Sequence, residues 1–332
     1  MFIVGKTASL HILAVRLGAM GDIIHALPAV ASLKLAHPDC RLTWLVEPKW
    51  APLLDANPFV DRVLYLHRES LAGLFQTWRA LAEIRCDYAV DFQGLLKSAL
   101  AASAAHPDRL YGFDPAQIRE RSAAIFYSHR IFAHSSHVVD RNLELAAALP
   151  ADAAQLAGPA SFALPPGSPE GHLPSGDFVL ASPLAGWASK QWPLDHYRTL
   201  AARLLTECGI PLVLNGPPGA PFHHLEPALV HYSSLPGLIH ATRRAAAVVG
   251  VDSGPLHLAA ALSKPGVAIF GPTDPARNGP YGNSLHVLRS PSAGTTYKRG
   301  ASIDSSMRLI SPSQVFDALS ATLDQFAGCP RA

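Results

Sequence analysis

The sequence predicts an α/β protein of two doubly wound parallel-sheet domains facing one another across a cleft. Three observations predict it. The chain has 332 residues, about twice an ordinary domain, and 49% of them are hydrophobic, enough for two cores. In both halves short β-rich apolar runs alternate with longer amphipathic ones, the pattern of strand and crossover helix. Between the halves, from Leu149 to Gly176, Pro, Gly, Ala and Ser dominate and no period is sustained, as in a linker.

In the first half, Leu10 to Val15, Leu42 to Val46, Val63 to Leu66 and Tyr88 to Asp91 read as strands, and Ile23 to Leu35, Leu71 to Ile84 and Leu95 to Ala105 as helices. After the linker come strands at Phe178 to Ala181, Leu212 to Leu214, Ala246 to Val251 and Val267 to Phe270. Helices are expected at Asp195 to Leu205 and Leu256 to Leu262. This places the domains at 1–160 and 175–310. The amphipathic run Pro312 to Phe326 predicts a closing helix, within 311–332, that could cross back to the first domain. Ligands of such sheets bind beyond the carboxyl ends of the strands, so the site is expected in the cleft.

Lys and Arg total 27 against 25 Asp and Glu, a net charge of +2 that supplies no broad field for nucleic acid. Any anionic partner must be held locally. Cys40, Cys86, Cys208 and Cys329 are widely spaced and form no C-x-x-C pair, so they read as idle thiols rather than a zinc site or disulfide framework. The opening apolar run is short and leads into Arg16 and a glycine-rich turn, which suits a first strand and not a signal peptide. No run approaches the roughly 18 apolar residues of a membrane helix. A soluble, cytoplasmic protein is expected.

Three junctions carry chemistry. After the first strand comes Leu17-Gly18-Ala19-Met20-Gly21-Asp22, where the glycines permit a sharp turn and close approach to a ligand. Asp22 stands where the helix begins, either as a simple cap or as a working carboxylate. The second junction is Ser182 to Pro193, in which Lys190 precedes a helix and could reach a diphosphate; a solvated surface lysine is the plain alternative. The third is Asp252-Ser253-Gly254-Pro255-Leu256-His257. Backbone N–H groups at that helix start suit phosphate, and Ser253 and Gly254 let an anion come near. Phe270 to Arg277, with Thr273, is expected to complete the wall. His25 and His257 fit either structural or catalytic roles. No D-x-D pair lies near a strand end, so lysine and a helix dipole, rather than a divalent metal, are expected to balance a leaving diphosphate.

With these residues in view, the chain resembles the bacterial ADP-heptose:lipopolysaccharide heptosyltransferases of glycosyltransferase family 9, closest to their type I members. The resemblance rests on five motifs in order. They are Arg16 to Pro28, Asp91-Phe92-Gln93-Gly94-Leu95-Leu96-Lys97-Ser98, Ser189-Lys190-Gln191-Trp192-Pro193, Asp252 to Ala261, and Phe270-Gly271-Pro272-Thr273-Asp274-Pro275. It implies the GT-B fold, two Rossmann-like domains, the first binding acceptor and the second the nucleotide sugar. It implies an inverting transfer of heptose from ADP-L-glycero-D-manno-heptose to the Kdo of Kdo-lipid A, with no cofactor and no metal. A type II enzyme adding the second heptose, or a GT-B nucleotide-sugar epimerase, is the alternative reading.

By the same resemblance Asp22 is the general base, and Lys190, Ser189, Asp252, Ser253, Gly254, His257, Thr273 and Glu226 bind donor. Gly18, Gly21, His25, Gln93, Lys97 and Arg119 bind acceptor. The implied protein is a monomer with peripheral contact to the inner membrane. Two departures stand out: Ala185 and Gly186 occupy places where type I enzymes carry threonines, and the segment 219–242, which holds the ribose-binding candidate Glu226, is short.

Overall fold

The computed structural model describes residues 9–150, 160–296 and 298–327. The chain divides into two compact units, Met1–Pro165 and Pro166–Ala332. The boundary falls inside the expected linker, whose residues 151–159 lie outside the described residues, as does Cys329.

The first unit contains β1 (His11–Val15), α1 (Met20–Ala36), β2 (Arg41–Val46), β3 (Arg62–Tyr65), α2 (Leu71–Ile84) and β4 (Tyr88–Asp91). It continues with α3 (Leu96–Ser103), β5 (Arg109–Phe113), β6 (His129–Ile131) and α4 (Val138–Ala147). The second contains β7 (Val179–Ser182), α5 (Leu194–Arg203), β8 (Leu212–Gly216), β9 (Leu229–Tyr232), α6 (Leu235–Arg244), β10 (Ala247–Val251) and α7 (Gly254–Ala261). It ends with β11 (Gly266–Phe270), α8 (Pro275–Asn278), β12 (Leu285–Arg289), α9 (Ser305–Arg308) and α10 (Pro312–Ala327).

Both sheets are parallel, in the orders β3-β2-β1-β4-β5-β6 and β9-β8-β7-β10-β11-β12. The two orders are the same: third, second, first, fourth, fifth, sixth. The order in which strands are added reverses between the first and fourth strands, which opens a crevice beyond their carboxyl ends. Central strands have helices on both faces and therefore read as unbroken apolar runs: β1, β7, β10 and β11 are buried along their whole lengths. That is why the sequence shows them.

The elements absent from the sequence reading include the edge strands β6, β9 and β12, each partly exposed and mixed in polarity. Gly266, at φ 152°, opens β11 where an added Cβ would fall 1.9 Å from the Val248 carbonyl oxygen; no other residue fits there.

α10 packs within the second unit against α5 and β11, and Val315, Phe316, Leu319 and Leu323 join the core that holds Trp192 and Tyr197. Trp192 is thus a core aromatic, its Nε1–H donating to the Ile310 carbonyl at 2.8 Å. Cys40 and Cys86 are buried thiols, and burial pushes Cys86 up to about 12.

Candidate active site

In the second unit the loops after β7, β10 and β11 bring Lys190, Asp252 and Thr273 together. Asp252, directly after β10, is buried. One carboxylate oxygen accepts from Lys190 Nζ at 2.6 Å and from Thr273 Oγ1 at 2.7 Å. The other faces His257 Nε2 at 3.5 Å, from the first turns of α7. Burial alone would raise this carboxyl; the His257 hydrogen bond and charge, and then Lys190, outweigh it and hold Asp252 well below the usual carboxylate range. An ionised, buried anchor therefore fixes the lysine.

Lys190 uses one of its three donors on Asp252 and sits over the Trp187 ring, 4.3 Å from its centroid. The Arg299 guanidinium approaches the same ring at 5.9 Å, a second cation that sequence reasoning missed because it lies in an irregular loop with no motif. Ser189 and Ser253 carry buried hydroxyls with no hydrogen-bond partner among the described residues, and Gly254 opens α7. Donors and cations thus gather around the place where anionic oxygens would sit. Glu226 is not gathered with them. It lies exposed on the loop between β8 and β9.

In the first unit the loop after β1 is tied to the loop after β4. Gln93 Oε1 accepts from the Leu17 N–H at 2.9 Å, and the Arg16 guanidinium donates to the Phe92 carbonyl. Gly18 passes so close to Trp50 that a Cβ would lie 2.7 Å from its Nε1, which explains a glycine here.

Asp22 is not the N-cap of α1; that place belongs to Ala19, and Asp22 is the third helical residue. Its carboxylate folds back to accept from the Ala19 N–H at 3.1 Å and pairs with Arg16 at 2.8 Å. A carboxylate offers about four lone-pair sites, so two remain. With its side chain 39% exposed, Asp22 can still receive a hydroxyl. Arg16 is a site residue the motif reading did not single out, although its position at the end of an apolar strand marks it as a charge needing a partner.

The remaining acceptor candidates separate. Lys97 stands 3.6 Å from the buried carboxylate of Glu47, which also faces Arg68 at 3.2 Å and Lys49 at 3.5 Å. One buried acid thereby faces three cations at the carboxyl end of β2, a cluster invisible in sequence because its members come from the segment after β2, the loop after β3 and the start of α3. Arg119 is exposed on the loop after β5, beside Glu120, whose carboxylate accepts from the Leu96 N–H at the start of α3. Gly21 is buried in α1. His25, offered as an acceptor contact, is buried instead at the α1–α4 contact, its ring edge-on to His137 at 5.8 Å.

Asp91, at the end of β4, is wholly buried and accepts from Tyr127 Oη at 2.7 Å, Ser98 Oγ at 2.8 Å and the Gln93 N–H at 2.9 Å. Burial raises its carboxyl above the ordinary value against the pull of these donors. It organises the loop that carries Gln93 and Lys97.

The chain is similar to known proteins. The model of glycosyltransferase family 9 (heptosyltransferase) matches residues 74–304. Lipopolysaccharide heptosyltransferase 1 of Escherichia coli K12 is 31% identical over 316 residues, covering 85% of this chain and 94% of that protein. The structure of E. coli heptosyltransferase WaaC with ADP is similar at TM-score 0.71 and 29% identity, over 86% of this chain and 96% of that one. The same enzyme with ADP-2-deoxy-2-fluoro heptose gives 0.73 and 27%, over 93% and 98%.

Proposed function

Because the chain belongs to glycosyltransferase family 9, as the match of residues 74–304 and the 31% identity to heptosyltransferase 1 show, we propose that it transfers heptose from ADP-heptose to the Kdo of Kdo-lipid A. The second unit takes the donor and the first takes the acceptor. Lys190 contacts donor oxygens with the two N–H groups Asp252 leaves to it, and the hydroxyls of Ser189 and Ser253 supply further hydrogen bonds. Arg299 adds positive charge beside Trp187.

The observation that carries the reading is the Asp22 carboxylate, oriented by Arg16 and the Ala19 amide yet partly open. It takes the proton from the attacking acceptor hydroxyl as the new glycosidic bond forms and the bond to ADP breaks on the opposite face, inverting the anomeric carbon. Preorganised cations and amides stabilise the departing diphosphate, so turnover requires no divalent metal. No described helix is long and apolar enough to cross a membrane. A cytoplasmic monomer in peripheral contact with the inner membrane fits the lipid acceptor.

The test is to incubate the protein with ADP-heptose and each truncated lipopolysaccharide, then read product masses. One heptose added to the acceptor that ends in Kdo is the expected result. Addition only to an acceptor already carrying heptose would make it a type II enzyme, and a converted nucleotide sugar without free ADP would make it an epimerase.

A further inference from the structure

The first unit carries an apolar face that its catalytic candidates do not use. Helix α2 is turned the wrong way for a globular protein. Its inward positions are Gly73, Thr77, Leu81 and Ile84, two of them small or polar, while Leu71, Phe75 and Trp78 point outward with 85%, 70% and 40% of their surface exposed. Spacings of four and three residues place those three on one stripe. Soluble helices bury such groups, and a contiguous exposed set marks an interaction surface.

The layer around α2 continues the pattern. α2 packs beside α3, and α3 beside the short turn Arg121–Phe126; all three close over one core cluster beneath. From that turn Ile125 projects with 71% exposure. Charge in the layer is one-sided. The segments 68–85, 95–103 and 119–126 hold six Lys and Arg against three Glu, all exposed; Arg68 and Lys97 face Glu47 and Arg79 pairs with Glu83, which leaves Arg85, Arg119 and Arg121 without an ion pair among the described residues. An apolar stripe with Trp and Phe, edged by an excess of arginine and lysine, is the chemistry of a helix that lies in a bilayer interface and draws anionic headgroups. A second copy of the same face would meet its own positive excess.

We propose that the outward face of α2, with Ile125 beside it, docks the protein on an anionic phospholipid bilayer. The inference rests on the lipid-acceptor reading, since an acceptor embedded in a membrane must be met at its surface. Leu71, Phe75 and Trp78 enter the headgroup–acyl boundary, while the cations of the layer that no acid holds among the described residues, Arg85, Arg119 and Arg121, meet the phosphates.

The test uses the full chain and co-sedimentation with vesicles of phosphatidylethanolamine and phosphatidylglycerol, and with vesicles of phosphatidylcholine alone. Wild type should bind the anionic vesicles, more weakly as salt rises, and scarcely bind the neutral ones. The triple variant Leu71→Gln, Phe75→Gln, Trp78→Gln should lose at least about tenfold in vesicle affinity. Its transfer to a deacylated, water-soluble Kdo acceptor should match wild type, and its transfer to acceptor held in vesicles should fall. Phe75→Glu alone, at a site 70% exposed, guards against misfolding of the triple variant and should weaken binding in the same direction.

Wild type that ignores anionic vesicles overturns the proposal, as does a variant that binds them equally well. A dimer in solution that the variant abolishes overturns it too, by making the face a contact between copies. Absence of transfer to either acceptor by wild type would count against the functional reading alone, because sedimentation is read independently.

Discussion

The two sheets share one strand order, and each places a buried aspartate at the carboxyl end of its fourth strand: Asp91 in the first unit and Asp252 in the second. Their surroundings drive them apart. Asp91 meets neutral donors, the hydroxyls of Tyr127 and Ser98 and two backbone amides, and burial carries its pKa up. Asp252 meets Lys190 and His257 as well as Thr273, and these carry its pKa down despite burial. One topological position thus serves as a loop scaffold in one unit and as the counter-ion of a lysine in the other. In the first unit the partly open carboxylate is instead Asp22, in α1 beyond the neighbouring strand β1.

The largest expected effect tests that displacement. Asp22→Asn keeps the shape and the hydrogen bond from Ala19 but removes the base, so turnover should fall at least about a hundredfold while ADP-heptose binding and thermal midpoint stay near wild type. Turnover within a few-fold of wild type would leave Asp22 as an element of the helix start. In the second unit, Lys190→Ala should cost on the order of 2–4 kcal/mol in transition-state stabilisation, read as kcat/KM for the donor, if the lysine meets the departing diphosphate. Unchanged kinetics would reduce the Lys190–Asp252 pair to a structural contact.

The next prediction concerns the opposed pKa directions. Asp252 titrates below its unfolded value in the folded protein, so its stabilising contribution is complete above about pH 4 and is lost as pH falls toward the folded pKa. Asp91 titrates above it, so its contribution is complete below about pH 4 and is lost as pH rises through the folded pKa. Thermal midpoints of wild type against Asp252→Asn should therefore converge as the solution is acidified. Those of wild type against Asp91→Asn should shift the other way, the wild type gaining on the variant in acid. Differences that move together with pH would end the contrast between the two aspartates.

What the sequence displayed follows the same division. Central strands such as β1 and β10 are enclosed on both faces, so their apolar runs announced both sheets, and Asp22, Lys190 and Asp252, on the segments that follow central strands, were visible in strand-end motifs. Groups whose meaning comes from another loop were not. Glu47 gains its role from Arg68 and Lys97, Arg299 from Trp187, and Arg16 from Asp22 and the Phe92 carbonyl; no local spacing encodes such meetings. The burial of His25 was not legible for the converse reason. The residue lies inside a motif, but helical phase turns its ring toward His137 and the α4 seam.

The smallest expected effect is none at all, and it bears on why Asp252 is paired with a cation. A diphosphate that leaves with its charge uncompensated would raise the barrier, and sugar-nucleotide chemistry can meet that need with a divalent ion or with fixed protein charges. Here a lysine anchored at 2.6 Å, an arginine across the same tryptophan ring, two buried hydroxyls and the start of α7 are already gathered on the donor side. Preorganised groups of this kind need no reorganisation when charge develops, and a helix N-terminus adds a partial positive charge. The rate of heptose transfer measured in excess chelator should therefore equal the untreated rate, and added magnesium should not raise it. If chelation abolished transfer and magnesium restored it, Asp252 would have to be reconsidered as a group that helps hold a metal rather than one that only holds Lys190.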